Sequence, residues 1–328
     1  MRSHGQLPRQ LPDYPISRLP DSRRPSEIGR RARLDLVFSY RRGRTMLADA
    51  YAEPPFRLGR LLDTGPIASM ILVYCGPGIF AGDHLEQRVR VERGARVRLV
   101  SQSALQVHPS SQTLTRTAAA SSTFTRGATP GPRRSSENGV GAEAGPTATA
   151  SPSVLNSSYH VEDEGRLDCI WDPVIPFAGA CLRQRIDLRI AEGGDLFWSD
   201  ALMSGRAARG EAWRFESLDH ELRASVGGSL RYLERYALAS QSRTPAHAWS
   251  AQRANYLGTT IVHSEEVTTA HAEEAQERLG AMEGLRAGVD CLAPHFLVGR
   301  LLAERGPQFA CARAALAEIF NRPPLRRP

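Results

Sequence analysis

Apolar and polar residues alternate along most of this chain in short runs broken by turn signals, the period of strands with one buried face. LDLVFSY places Leu34, Leu36 and Phe38 on one face, and RRGRT then turns into MLADAYA. HLEQRVRVERGARVRLVS sets Leu85, Val89 and Val91 opposite Glu86, Arg88 and Arg90, turns at ERGA, and returns with Val97 and Leu99 opposite Arg96 and Arg98. LRQRIDLRI alternates through Leu182, Ile186, Leu188 and Ile190, then turns at AEGG into DLFWSDALM. AWRFE sets Trp213 and Phe215 opposite Arg214 and Glu216, and ELRASVGGSLRYLERYAL folds at Gly227–Gly228. The pattern predicts a run of antiparallel hairpins.

Two segments carry a helical pattern, Thr268 to Leu285 and Pro307 to Phe320, the second opening on a proline; PHFLVGRLLA between them reads as a buried strand. The fold class is therefore mainly β, antiparallel strands with two C-terminal helices, and no βαβ alternation supports a dinucleotide or P-loop core. Residues 1–31, rich in Arg, Pro and Ser, have the composition of a disordered basic tail. Residues 110–160, dominated by Ala, Ser, Thr, Gly and Pro, read as a flexible insertion in a single domain spanning 32–328.

The chain has 328 residues and a formal net charge of +7, and every one of its 42 basic side chains is arginine. Schiff-base chemistry, a lysine general base and a Walker A lysine are thereby excluded. The excess charge lies in the first 33 residues, with eight arginines against three acids, and in the insertion; the remainder is close to neutral, so a basic groove is not required. Five scattered cysteines without a CxxC pair suit free thiols in a reducing cytoplasm. No signal-peptide core opens the chain, and its most apolar stretch is broken by Pro77 and glycines, which points away from a membrane.

Candidate chemistry is sparse. CGPGIFAGD (75–83) is a glycine-rich turn followed by a strand rather than a helix, so it is no pyrophosphate cradle; Asp83 either bonds nearby amides or is placed for a cation. In SGRAARGE, Arg206 and Glu211 form a guanidinium–carboxylate pair able to clamp each other or a partner. Asp200 and Glu234 sit inside otherwise apolar strands. Such charges ordinarily face solvent, because unpaired burial costs roughly several kcal/mol; the alternative is an internal polar path. The nine histidines show no zinc spacing, and no serine or cysteine has a nucleophile's neighbourhood. An acid–base enzyme using Asp83 and Glu211, and a nucleic-acid binder using the arginine tail, are the rival readings.

Taken in order, RARLDLVFSYRRGRTMLADAYAEPPFRL, GPGIFAGD, RVRLVSQSALQVH, LDCIWDPVIPF, SGRAARGE and HFLVGRLLAERG with the terminal RPPLRRP resemble the urease accessory protein family UreD, also called UreH. The resemblance covers about residues 31–109 and 161–325. It implies a β-rich, superhelical or sandwich-like body that is not an enzyme and binds no permanent cofactor. It implies a cytoplasmic scaffold that binds the accessory proteins UreF and UreG and docks on apo-urease, leaving a dimer through that complex open, with neither nucleic acid nor membrane as partner. It further implies transient Ni²⁺ passage, with Asp83, Asp200 and Glu234 matching acids of an internal polar route and Arg206 and Glu211 serving structure or partner contact.

Overall fold

The computed structural model describes residues 29–63, 65–109, 151–239 and 253–320. They form a mainly β body of two stacked sheets with a helical layer on one of them. Sheet one runs, in spatial order, β14 (Ser229–Ala239), β13 (Ser217–Val226), β11 (Cys181–Ile190), β8 (Ser153–Val161), β5 (His84–Val91), β1 (Arg31–Arg41) and β2 (Arg44–Ala52). Sheet two runs β16 (Leu285–Ala293), β17 (Phe296–Ala303), β15 (Tyr256–His263), β12 (Asp195–Met203), β9 (Arg166–Ile170), β6 (Arg96–Ser101), β4 (Ala68–Tyr74) and β3 (Phe56–Leu58). The short β7 (Leu105–Val107) and β10 (Val174–Pro176) pair beside β12.

The centre of each sheet is parallel. β1, β5, β8, β11 and β13 run in one direction, as do β4, β6, β9 and β12 of the other sheet. From β4 to β13 the chain coils between the layers, most turns of the coil giving one strand to each sheet. Antiparallel pairing is confined to the outer strands. This corrects the antiparallel reading at two places: β5 and β6 across ERGA, and β11 and β12 across AEGG, are not hairpins but arches linking opposite sheets. Alternation reports one buried face, and an arch buries the same residues as a hairpin, since the apolar faces of β5 and β6 meet in one core. Two expected hairpins do form, β1–β2 over Arg42 (φ 55°) and Gly43 (φ 79°), and β13–β14 over Gly227 (φ 56°) and Gly228 (φ 80°), where left-handed residues close tight two-residue turns.

β8 also lies inside the stretch read as insertion. SVLNSSYHV is polar enough to pass for linker, yet it is a central strand of sheet one, burying Leu155, Tyr159 and Val161. Residues 110–150 and nearly all of the N-terminal tail fall outside the described residues.

Helices α1 (Thr269–Gly280) and α2 (Gly306–Ile319) match the two helical segments, except that the chain turns at Gly284 and Leu285 opens β16. Both pack on the outer face of sheet two, where Phe197, Val262, Leu297 and Leu301 meet Ala275, Leu279, Phe309 and Leu316 in a second core. β12 is consequently covered on both faces, which is why DLFWSDALM does not alternate. Gly258 of β15 lies under Phe309: a Cβ there would stand 2.5 Å from the ring and 3.0 Å from the Asp200 carbonyl oxygen. Relieving a strand glycine ordinarily gains about 0.5–1 kcal/mol, but the overpacking term is larger. Gly258→Ala is expected to lose about 1–3 kcal/mol in urea unfolding; an unchanged or raised midpoint would show that α2 is free to move off the sheet.

Candidate functional site

Strand register sets the site. Asp200 on β12 lies opposite Thr259 on β15, which in turn lies opposite Arg300 on β17. Leu196, Trp198 and Leu202 of β12 belong to the core between the sheets, so the two-residue period carries Asp200 to the same inner face. On sheet one, Gln184, His220 and Tyr236 are neighbours across β11, β13 and β14, and Glu234 pairs with the buried Leu222 in the next row. β14 inverts ordinary polarity: Glu234 is buried while Leu230 and Leu233 are exposed.

The Glu234 carboxylate accepts hydrogen bonds from Thr259 Oγ1 (2.9 Å) and the Tyr232 hydroxyl (3.0 Å), and it ion-pairs with Arg300. His220 Nε2 stands 4.0 Å from Glu234 Oε1, while Nδ1 lies 3.1 Å from the Gln184 side-chain oxygen and donates to it; the ring stacks on Tyr236 at 4.7 Å. Burial pushes His220 down to about 4, against the opposing pull of Glu234, so the imidazole is neutral near pH 7. Asp200, whose Oδ1 accepts from the Thr259 amide at 3.3 Å, is pushed up to about 7, first by burial and then by the Glu234 charge. Burial likewise holds the Tyr236 phenol well above its ordinary range.

Two small cavities share Asp200, Gln184 and Ala201 in their walls. The one on the Glu234 side, about 10 Å³, is lined also by His220, Thr259 and Arg300. The inner one, about 60 Å³, continues past Trp198, Trp171, Tyr159 and Gln87 to Ser101 and Asp172. A water needs roughly 10–15 Å³ of such space and two or more polar partners, and the inner cavity offers both. The Trp198 indole hydrogen-bonds toward the Asp200 carboxyl, and the Trp171 indole lines the same cavity. Gln87 Nε2 donates to the Tyr159 hydroxyl (2.7 Å) and the Ser101 hydroxyl to Asp172 (3.2 Å), so polar groups recur along a wall otherwise formed by Leu105, Leu155, Val174 and Ile186.

Of the acids singled out in the sequence, the fold brings Asp200 and Glu234 together and places Asp83 elsewhere. Asp83 accepts from the Arg30 backbone amide (2.7 Å), the Arg30 guanidinium (2.9 Å) and the Phe80 amide (3.0 Å), and it lines neither cavity. It pins the glycine-rich turn to the strand that precedes it in the sheet. There Gly29 (φ 116°) passes so close to Gly82 that a Cβ would stand 2.0 Å from its carbonyl oxygen. Arg206 and Glu211 clamp each other through two hydrogen bonds (2.7 and 2.6 Å), and the guanidinium lies 4.0 Å over the Phe177 ring. Arg206 accordingly holds the Glu211 carboxyl below its ordinary value. Asp83 and Glu211 are each closed onto an arginine, an arrangement that provides no acid–base couple.

His220, Thr259, Arg300 and Gln184 were not singled out in the sequence. Two of them left a signal there: Arg300 is a lone charge in the apolar FLVGRLLA, and His220 takes the apolar phase between Leu218 and Leu222. Among the described residues no three His, Cys, Asp or Glu side chains converge as a ready metal-ligand set, and no helix is long and apolar enough to cross a membrane.

Residues 30–328 match the family model of UreD, described as a urease accessory protein. The chain is 26% identical over 282 residues to the urease accessory protein UreD of Lysinibacillus sphaericus, covering 85% of this chain and 91% of that protein. It is 28% identical to UreD of Cupriavidus necator, covering 90% and 89%. With UreD of Sorangium cellulosum it shares 30% identity over 67% of this chain and 56% of that protein.

Proposed function

The chain belongs to the UreD family and is an accessory protein of urease maturation rather than an enzyme, and from that premise we propose that it is a scaffold conducting Ni²⁺ through its interior. In this reading it binds UreF, through it UreG, and apo-urease, and the ion moves past Glu234 and Asp200 toward the Asp172 end. The observation that supports the reading is that Asp200 and Glu234, from facing sheets, line one small cavity and that Asp200 also lines the larger one. Carboxylate, hydroxyl and water oxygens suit such a role, since they hold a divalent cation weakly enough to release it, whereas a thiolate set would retain it. The five cysteines are free, and none lines either cavity. Asp83 acts outside this path, as the anchor of its turn.

Co-expression of the chain with the accessory proteins and urease tests this. Asp200→Asn and Glu234→Gln are each expected to lower urease nickel content and activity at least about five-fold while the accessory complex is still captured intact. Wild-type nickel content in both variants would overturn the conduction reading. A parallel loss of complex would reassign the two acids to folding.

A further inference from the structure

We propose that Glu234 and His220 Nε2 form a divalent-metal site that Arg300 occupies in the resting chain, so that a cation enters only by displacing the guanidinium. The inference rests on the conduction reading above and adds the residues that control entry. The geometry points to it in three ways. First, the imidazole is set up as a ligand: Nδ1 is committed to Gln184, which leaves the Nε2 lone pair free 4.0 Å from Glu234 Oε1. A second-shell acceptor on one ring nitrogen is how ligating histidines are ordinarily oriented. A nitrogen beside carboxylate oxygen favours a borderline ion such as Ni²⁺ over Mg²⁺ or Ca²⁺.

Second, the cation position is already filled by a positive group. Glu234 is 7% exposed and Arg300 40%, so the guanidinium reaches from the solvent edge onto a buried acid and closes the outer end of the smaller cavity. An arginine stays protonated at any working pH, and while it is seated an approaching dication meets a unit positive charge at the entrance. Third, displacement leaves the site supported. Thr259 and Tyr232 still bond the Glu234 carboxylate, and Asp200, one register step beyond Thr259, supplies the second negative group that a dication needs. On swinging outward the guanidinium gives up its ion pair with the buried Glu234, and the incoming dication replaces that charge at the same carboxylate.

Ni²⁺ binding to the purified full-length chain, by equilibrium dialysis, tests the proposal. Arg300→Gln is expected to tighten binding at least about ten-fold, and adding His220→Gln should abolish that gain. A folded Arg300→Gln protein that binds Ni²⁺ no better than wild type would overturn it, as would a gain that survives loss of the imidazole. Should the glutamine variant fail to fold, Arg300→Lys, which keeps the charge but not the fork, is expected to gain about three-fold, and no gain would overturn the proposal equally. The conduction reading is judged separately. If Asp200→Asn or Glu234→Gln still depresses urease activation, conduction survives the failure of the arginine latch; if neither does, conduction falls whatever Arg300 does.

Discussion

Arg98→Met is expected to cost about 3–5 kcal/mol of folding stability, through an ion pair far from the cavities. Arg98 on β6 and Asp168 on β9 are register partners, joined at 3.0 Å, with side chains 8% and 0% exposed. Their neighbours Val97, Leu99, Leu167 and Cys169 fill the core between the sheets, so the pair points the other way, to the face of sheet two that also carries the helices. Removing the guanidinium leaves a buried carboxylate that still has Arg166 at 3.3 Å, a partial replacement that places the expected loss toward the lower end. Replacing both partners, Arg98→Met with Asp168→Leu, removes the uncompensated charge and is expected to cost no more than about 1–2 kcal/mol, because well-packed apolar groups often match a buried pair. Urea unfolding of the two proteins gives the comparison. A double variant as unstable as the single one would mean that the cost is one of packing and not of charge.

This pair shows why some of the molecule was legible in the sequence and some was not. Arg98 sits in phase with Arg96 in RVRLVS and reads as one more solvated arginine, yet Arg96 is exposed and Arg98 buried. The alternating pattern distinguishes two faces of a strand, but it does not say that the polar face will be covered by a further layer. The same gap explains the misread arches at ERGA and AEGG. The strand edges were fixed by local chemistry, whereas the choice between a neighbour in the same sheet and one in the other sheet rests on pairing between residues about 70 positions apart, such as Val89 with Tyr159. At the site, Asp200 and Glu234 stood out because acids in apolar runs break the pattern. That they face each other, with Arg300 and His220 between β13, β14 and β17, follows only from the coil of the chain. Asp83 stood out for a different reason, its place in a tight turn, and that is what it serves.

The contribution of Asp200 to stability should fall as pH rises from about 4 to 7, opposite in sign to that of the depressed His220, and Asp200→Asn should remove the Asp200 contribution alone. The Asp200 carboxyl is raised from 3.8 to about 7 by burial and by the charge on Glu234, so between those values the folded chain holds a proton that the unfolded chain has released. The side with more bound protons is favoured at low pH. Folding therefore has the full benefit of the neutral acid below about 4 and loses it progressively until the folded group ionises near 7. Each unit of such a shift is worth about 1.4 kcal/mol, which puts the total change at roughly a few kcal/mol for this half-buried carboxyl. Asparagine keeps the oxygen that accepts from the Thr259 amide, at 3.3 Å in the parent, and carries no charge at any pH. The variant should accordingly match the wild type near pH 3 and exceed it by roughly 2 kcal/mol or more at pH 8, as measured by urea unfolding across that range. Other groups contribute the same slope to both proteins, so the difference between them isolates residue 200. A difference that stays flat with pH would show that Asp200 is ionised throughout, and that the wall between the two cavities carries a full negative charge in the resting chain.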